Sequence, residues 1–246
     1  MRTTVTLDPD VEAMLREEVR RRGESFKETL AFGIRFVLFL TLPAAAGYLV
    51  LSTPIVALIL QHGAFTHADT LRVATALVGY AIQIPFVGID QLLIFAFYAR
   101  RNTVTPMLVG VLGVGVYVAS ALALMPRLQI LGLALANTLQ NSLHAVVLLV
   151  LLLAAIGRFG DRAMLRSIGL SLAAAVVMSI VAVGCSALLQ AAGVSGGALT
   201  GRFLEVVVPI LFASATYIGL QAAVGSQELG LVVDVVRTRI RPSPAR

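Results

Sequence analysis

Charge is what this sequence has least of. Only 13% of its 246 residues are Asp, Glu, Lys or Arg, while 58% are apolar; soluble domains run nearer about 25% charged and about 45–50% apolar. A water-soluble fold of this composition needs a core larger than a chain of this length encloses, so an ordinary soluble globule is excluded. Cysteine is nearly absent. Cys185 stands alone, which excludes a disulfide framework and a multi-cysteine zinc site, and inside an apolar run it reads as a small buried apolar side chain. His62 and His67 lie in a loop, and two histidines without a Cys or Glu cluster do not compose a metal site. There is no G-x-S-x-G, no phosphate loop, no H-E-x-x-H and no paired-cysteine motif. Neither an enzyme nor a cofactor nor a metal is expected. A secretory signal is missing too, because the first thirty residues are charged rather than apolar.

What the sequence has is long apolar runs, with a mean hydropathy of +0.91. A helix crosses a bilayer core with about twenty apolar residues. Six stretches qualify, at about 33–60, 73–97, 106–125, 130–156, 166–191 and 203–224. The fold class expected is all-α: a polytopic membrane bundle of six transmembrane helices, preceded by a short strand-helix cytoplasmic segment. Two domains follow, residues 1–30 and residues 31–246. The breaks carry turn and cap chemistry, as in "QHGAFTHADT", "ARRNTVTP" and "GRFGDR". Pro106 suits the first turn of a helix. Pro43, Pro54, Pro85 and Pro209 fall inside spans, where membrane helices tolerate them, often as kinks.

Lysine and arginine set the orientation. With a cytoplasmic amino end, sixteen of the nineteen fall in cytoplasmic segments and only Arg72, Arg127 and Arg202 outside. The net charge of +6 is thus a topology signal, and a nucleic-acid reading does not need it. Both termini are expected in the cytoplasm, with membrane lipids as the surrounding partner. The tail "RTRIRPSPAR" reads as a solvated basic end near anionic headgroups.

Ionisable and amide side chains at membrane depth are costly and mark pathways. Asp90, with Gln83 and Gln91, lies in the second span; Asp90 and Gln83 are seven apart and share a helix face. In the fourth span "ANTLQNSLHA" sets Asn137, Gln140, Asn141 and His144 at i, i+3, i+4 and i+7, one polar stripe on an apolar helix. The stripe either lines a hydrated cavity or holds helices together by hydrogen bonds. These seven are the candidate substrate-path residues. Glu205, three residues after Arg202, reads as half of a local ion pair.

"HGAFTHADT", "FAFYARRNTVTP" and "MPRLQILGLALANTLQNSLHAVVLL", in that order, resemble the MurJ/MviN family of lipid II flippases. The resemblance runs from about Phe26 to the end. It implies a bacterial plasma-membrane transporter of an undecaprenyl-linked peptidoglycan precursor, a task that breaks no bond. Members have about fourteen spans in two pseudo-symmetric lobes with the substrate path between. The six spans here correspond to the last six, and the first eight are expected to be absent. The family's cavity arginines lie in those eight, so none is carried over. The third span departs from the pattern, with Tyr117 and Ala121 where relatives tend to have asparagines. A missing amino-terminal half or a homodimer is the partner this implies, and these six spans alone are not expected to flip the lipid.

"MRTTVTLDPDVEAMLREEVRRRGESFKETL" resembles the ribbon-helix-helix fold of VapB-type and CopG-type repressors. "RTTVTL" alternates like a strand, Asp8 and Pro9 suit a helix start, and Ser25 with Glu28 forms a capping box. The resemblance makes Arg2, Thr4 and Thr6 the DNA-facing side chains. "FKETLAFGIRF" fits both families, so the two sequences meet inside one helix. The competing reading is a membrane-tethered DNA-binding regulator, or a fused remnant.

The arginine asymmetry yields a topology test. Reporters fused after Gly196 and at the carboxyl terminus are expected on opposite sides of the membrane; reports from the same side overturn the six-span orientation.

Overall fold

A computed structural model describes residues 26–157, 160, 162–194 and 199–240, with side chains described as far as residue 234. The helices among them are α1 Phe26–Leu60, α2 His67–Ala81, α3 Ile84–Ala99, α4 Val104–Leu128, α5 Ile130–Ile156, α6 Arg162–Ala191, α7 Leu199–Ala223 and α8 Gln227–Ile240. Five of them are long and apolar enough to cross a membrane, or six spans if the bent pair α2 and α3 counts as one. The strand, the capping residue Ser25 and the DNA-contact residues Arg2, Thr4 and Thr6 lie outside the described residues. α1 runs unbroken through position 30.

α1 is the axis of the bundle. It has 35 residues, roughly 52 Å at 1.5 Å per residue, against a hydrocarbon core of about 30 Å. α2, α3, α6 and α7 all pack on it. Two apolar clusters follow one another along it, with Leu42 touching both. One joins Leu30, Ile34 and Leu38 to Leu93 and Phe97 of α3 and Leu148 and Leu152 of α5. The other joins Phe39 and Leu51 to Ala175, Met178 and Ala182 of α6 and Tyr217 of α7. α5 in turn carries α4 on its far side, and α4 is buried least. Its Leu112 is 70% exposed.

The second span, expected as one helix over 73–97, is two helices bent by 42°. Its first half starts at Thr66, whose hydroxyl caps Asp69 N–H while the Asp69 carboxylate accepts the Thr66 N–H at 3.0 Å, a reciprocal cap. The break falls at Ile82 and Gln83. Pro85 has no N–H to give the carbonyl of Ala81, and its ring crowds that carbonyl, so the first helix stops and a second begins. At the next junction Asn102 accepts the Thr105 N–H at 3.1 Å, which places Pro106 in the opening turn of α4. Between α4 and α5 only Gln129 intervenes, at φ 51°. Gly132 makes so short a hairpin fit: a Cβ there would lie 2.7 Å from the Leu124 backbone. A further helix that the span count did not include runs over Gln227–Ile240, and Leu229 and Val232 pack on the second cluster; of the basic tail 237–246, the residues after 240 and all the side chains lie outside the described ones. Its apolar positions are too few for a span, so composition hid an amphipathic helix.

Breaks in apolar helices leave carbonyls without donors, and hydrocarbon offers none. Pro43 cannot serve Phe39 O, four residues before it; Tyr217 Oη donates to that oxygen at 2.8 Å from a buried position. Gly79 O loses its helical donor because Gln83 N–H turns to Tyr80 O. Thr138 Oγ1 of α5 donates to it at 2.7 Å.

This yields a double-mutant cycle. Tyr217→Phe is expected to destabilise the bundle by about 1–2 kcal/mol, the cost of one unpaired buried acceptor, in equilibrium unfolding from mixed micelles. Pro43→Ala, which returns an N–H to Phe39 O, is expected to recover most of that loss. An equal effect of Pro43→Ala with and without Tyr217 shows that the two are uncoupled.

Candidate functional site

Three groups of side chains stand out from the apolar bundle. The first is a polar seam where α3 meets α5. Asp90 is 8% exposed, and its Oδ1 lies 2.6 Å from Nδ1 of His144. The other ring nitrogen, Nε2, faces Pro106 O of α4 at 3.4 Å. One turn away Asn141 Nδ2 donates to Gln83 Oε1 at 2.6 Å and to Asn137 Oδ1 at 3.2 Å. Gln83 stands at the N-cap of α3, so the helix break did not take it off the face it shares with Asp90. Five of the seven candidate residues therefore meet in one seam. Gln140 is half-buried and borders α4 at Gly113. Gln91 is exposed and apart from the seam. Thr138 belongs to the seam and was missed by the sequence reading. A threonine beside Asn137 and Asn141, opposite a span carrying Pro85, was the signal available.

The second group is an apolar groove of about 610 Å³ between α1, α6 and α7, floored by Leu51, Met178, Ala182 and Tyr217 and walled by Pro43, Gly47, Tyr48 and Ile210. Small residues open it: a Cβ on Gly47 would stop only 3.8 Å from Met178 Cε. At the end of the bundle where α1 stops, a polar pocket also of about 610 Å³ is lined by Gln61, His67, Gln190, Arg202 and Glu205. The local ion pair expected between Arg202 and Glu205 does not form among the described residues. Arg202 donates to Gln61 O instead, because the carbonyls at the end of α1 have no helical donors.

The third group fastens α8. Glu228 is 3% exposed. Its carboxylate accepts from Ser167 Oγ of α6 and from Ser226 Oγ, both at 2.9 Å, and Oε1 lies 3.4 Å from Arg35 Nε. That ion pair is not a hydrogen bond, since the Nε–H has no acceptor in line; Arg35 Nη2 donates to Gln227 Oε1 at 3.4 Å. Burial alone would raise the Glu228 carboxyl. Its own backbone N–H, the two serine hydroxyls and the Arg35 charge outweigh burial and hold it below the usual glutamate value. Among the described residues no three His, Cys, Asp or Glu side chains gather as metal ligands would.

A folded value below the unfolded one means that ionised Glu228 contributes stability above the ordinary glutamate range, and that the contribution is lost as pH falls through the folded value. Protease cleavage ahead of α8, in membrane vesicles, is therefore expected to speed up as pH is lowered through and below about 4.3. Glu228→Gln is expected to be cleaved faster at neutral pH and to lack that acid step. A variant with the full acid step refers the effect to another carboxyl.

Comparison with known proteins gives one consistent finding. The family model described as lipid II flippase MurJ matches residues 13–224. A probable lipid II flippase MurJ of Rhizobium meliloti (strain 1021) is 32% identical over 200 residues, covering 81% of this chain and 37% of that protein. That of Rhizobium tropici is 32% identical over 212 residues, covering 86% and 40%. The chain thus spans about two fifths of the length of these relatives. A solved structure, lipid II flippase MurJ in an inward closed conformation, superposes with a TM-score of 0.67 at 21% identity, over 84% of this chain and 40% of that one, a likeness of fold. The family match opens at residue 13, well before Phe26, where the resemblance read from the sequence began.

Proposed function

The chain belongs to the lipid II flippase MurJ family, and from that premise we propose that it forms one lobe of a transporter of lipid-linked peptidoglycan precursor. It lies in a bacterial plasma membrane with both termini in the cytoplasm. The observation that carries the reading beyond the family is the apolar groove between α1, α6 and α7. A polyprenyl tail is a long flexible hydrocarbon. A groove of small and aliphatic residues at membrane depth takes such a tail by burying its surface, at about 25 cal/mol per Å². The headgroup is an anion, and the groove offers no cation to hold it. A second lobe supplies the other wall of the path, either a separate amino-terminal half or a second copy of this chain, since alternating access needs two bodies that rock about a shared site.

In this reading the seam of Gln83, Asp90, Asn137, Asn141 and His144 stiffens the wall of the lobe, and Gln140 borders α4 beside it. The work is transport, with no bond made or broken. The ribbon-helix-helix reading of residues 1–30 remains the second one. A family match that begins at residue 13 supports the flippase side over most of that stretch.

The test is lipid binding. Native mass spectrometry of the full chain in detergent is expected to find lipid II retained over phosphatidylglycerol. Gly47→Phe, which fills the groove, is expected to weaken retention about tenfold, some 1.4 kcal/mol. Equal retention of both lipids, or no effect of Gly47→Phe, overturns the tail-binding reading.

A further inference from the structure

We propose that Asp90 and His144 form a proton-binding site, and that the one proton it gains and loses ties α4 to the α3–α5 pair. The proposal goes beyond the lipid reading and does not depend on it. Its basis is the hydrogen-bond inventory of one ring. Imidazole has two nitrogens, and here both face oxygens: Nδ1 the Asp90 carboxylate at 2.6 Å, and Nε2 the Pro106 carbonyl at 3.4 Å. A carbonyl only accepts, and so does an ionised carboxylate. Both contacts are made at once when the site holds its full complement: a carboxylate with an imidazolium, or a carboxylic acid whose O–H meets Nδ1 while Nε2–H meets Pro106. The two forms have the same atoms and a net charge of zero. When the proton leaves for water, a carboxylate and a neutral imidazole remain. That ring has one N–H and one lone pair, and the lone pair must face one of the two oxygens. The site then carries a net charge of −1 and loses one of its two links.

Geometry says which link goes. The Asp90 contact is short and within the bundle. The Pro106 contact is long, and α4 meets α3 only sparsely while it packs mainly on α5. Keeping Nδ1–H on the carboxylate turns the Nε2 lone pair toward Pro106 O, so α4 is released. Gly110 and Gly113 are the α4 residues that face His144 and Gln140 across this seam; with no side chains of their own they leave α4 free to shift.

Other charges around the pair are engaged elsewhere or distant. Arg35 of α1 is level with Asp90, since Gly33 abuts Leu92 and Gly88 abuts Val37, but its guanidinium serves Gln227 and Glu228. Lys27 stands beside Gly157 at the far end of α5, and Glu28 is on the same turn of α1. In α2, Asp69 pairs with Arg72 at 3.5 Å, and His67 lines the pocket at that end of the bundle. Arg100 and Arg101 are exposed, about 15 Å further along α3, and Arg127 is about 30 Å along α4 from Pro106. Tyr80, Tyr98 and Tyr117 bring phenols to this side of the bundle, not carboxylates or amines. α5 carries no other ionisable group. Among the described residues, then, the charge of the pair rests on its own proton.

The experiment uses the full chain in lipid vesicles, with Cys185→Ala and spin labels at Met107 of α4 and Val146 of α5, both exposed. Between about pH 4 and about pH 9, the label distance is expected to lengthen by about 1–2 Å, the scale of a helix shift, along a one-proton curve. His144→Gln keeps an amide donor but cannot titrate and is expected to abolish the step. Asp90→Asn, which removes the carboxylate that holds the second N–H in place, is expected to abolish or displace it. Should His144→Gln fail to insert, Asp90→Asn decides alone. An unchanged distance across the range, or a step that survives both substitutions in place, overturns the proposal.

Discussion

A backbone carbonyl inside hydrocarbon must find a donor, and the rest of this structure depends on how two of them do. Pro43 and the break before Pro85 each leave an acceptor that its own helix cannot serve. A tyrosine from α7 reaches the first and a threonine from α5 the second. Water would make these contacts optional. In lipid no water stands in for a missing donor, so the hydroxyls become pins. One pin fixes α7 on α1, the other fixes α5 on α2, and between them the two sides of the bundle are set about a single axis.

That axis divides the labour. On one side α1, α6 and α7 close around alanines, glycine and methionine and leave an apolar groove. On the other, α3 and α5 close around amides, a carboxylate and a histidine. Each side suits what its surroundings permit. Apolar small residues pack loosely enough to leave room for hydrocarbon. Polar side chains at this depth must pair with one another, and the seam of Gln83, Asn141, Asn137, Asp90 and His144 is that pairing. Glu228 obeys the same rule at the end of the bundle, where its burial is tolerated because hydroxyls and Arg35 surround it.

Glycine and proline link local chemistry to this division. Gly132 permits a hairpin with one residue between α4 and α5, which brings the stripe on α5 within reach of α4. Pro85 bends the second span, which frees Gly79 O and sets Gln83 at a helix start from which it meets Asn141. The groove follows likewise: Pro43 both demands Tyr217 and stands in the groove wall beside it. A missing donor, a hydrogen bond and a groove wall meet at that one proline.

The sequence by itself determined that the chain is helical and membrane-embedded, because scarcity of charge and runs of about twenty apolar residues leave no other class. Five of the described helices are long and apolar enough to cross a membrane, in stretches that hydropathy also marks. The i, i+3, i+4, i+7 stripe was legible, since period alone puts Asn137, Asn141 and His144 on one face. The family was legible in "HGAFTHADT", whose threonine and aspartate cap a helix. Only the tertiary structure decided which partners those groups take. Asp90 with His144, Asn141 with Gln83, Thr138 with Gly79 and Tyr217 with Phe39 are separated by 54 to 178 positions, and local periodicity says nothing across such distances. It also decided that Arg202 serves a carbonyl rather than Glu205, and that residues 227–240 form a docked helix. The first turns on a carbonyl at the end of α1 and the second on Glu228 meeting Ser167 and Arg35, partners that only the folded chain brings within reach.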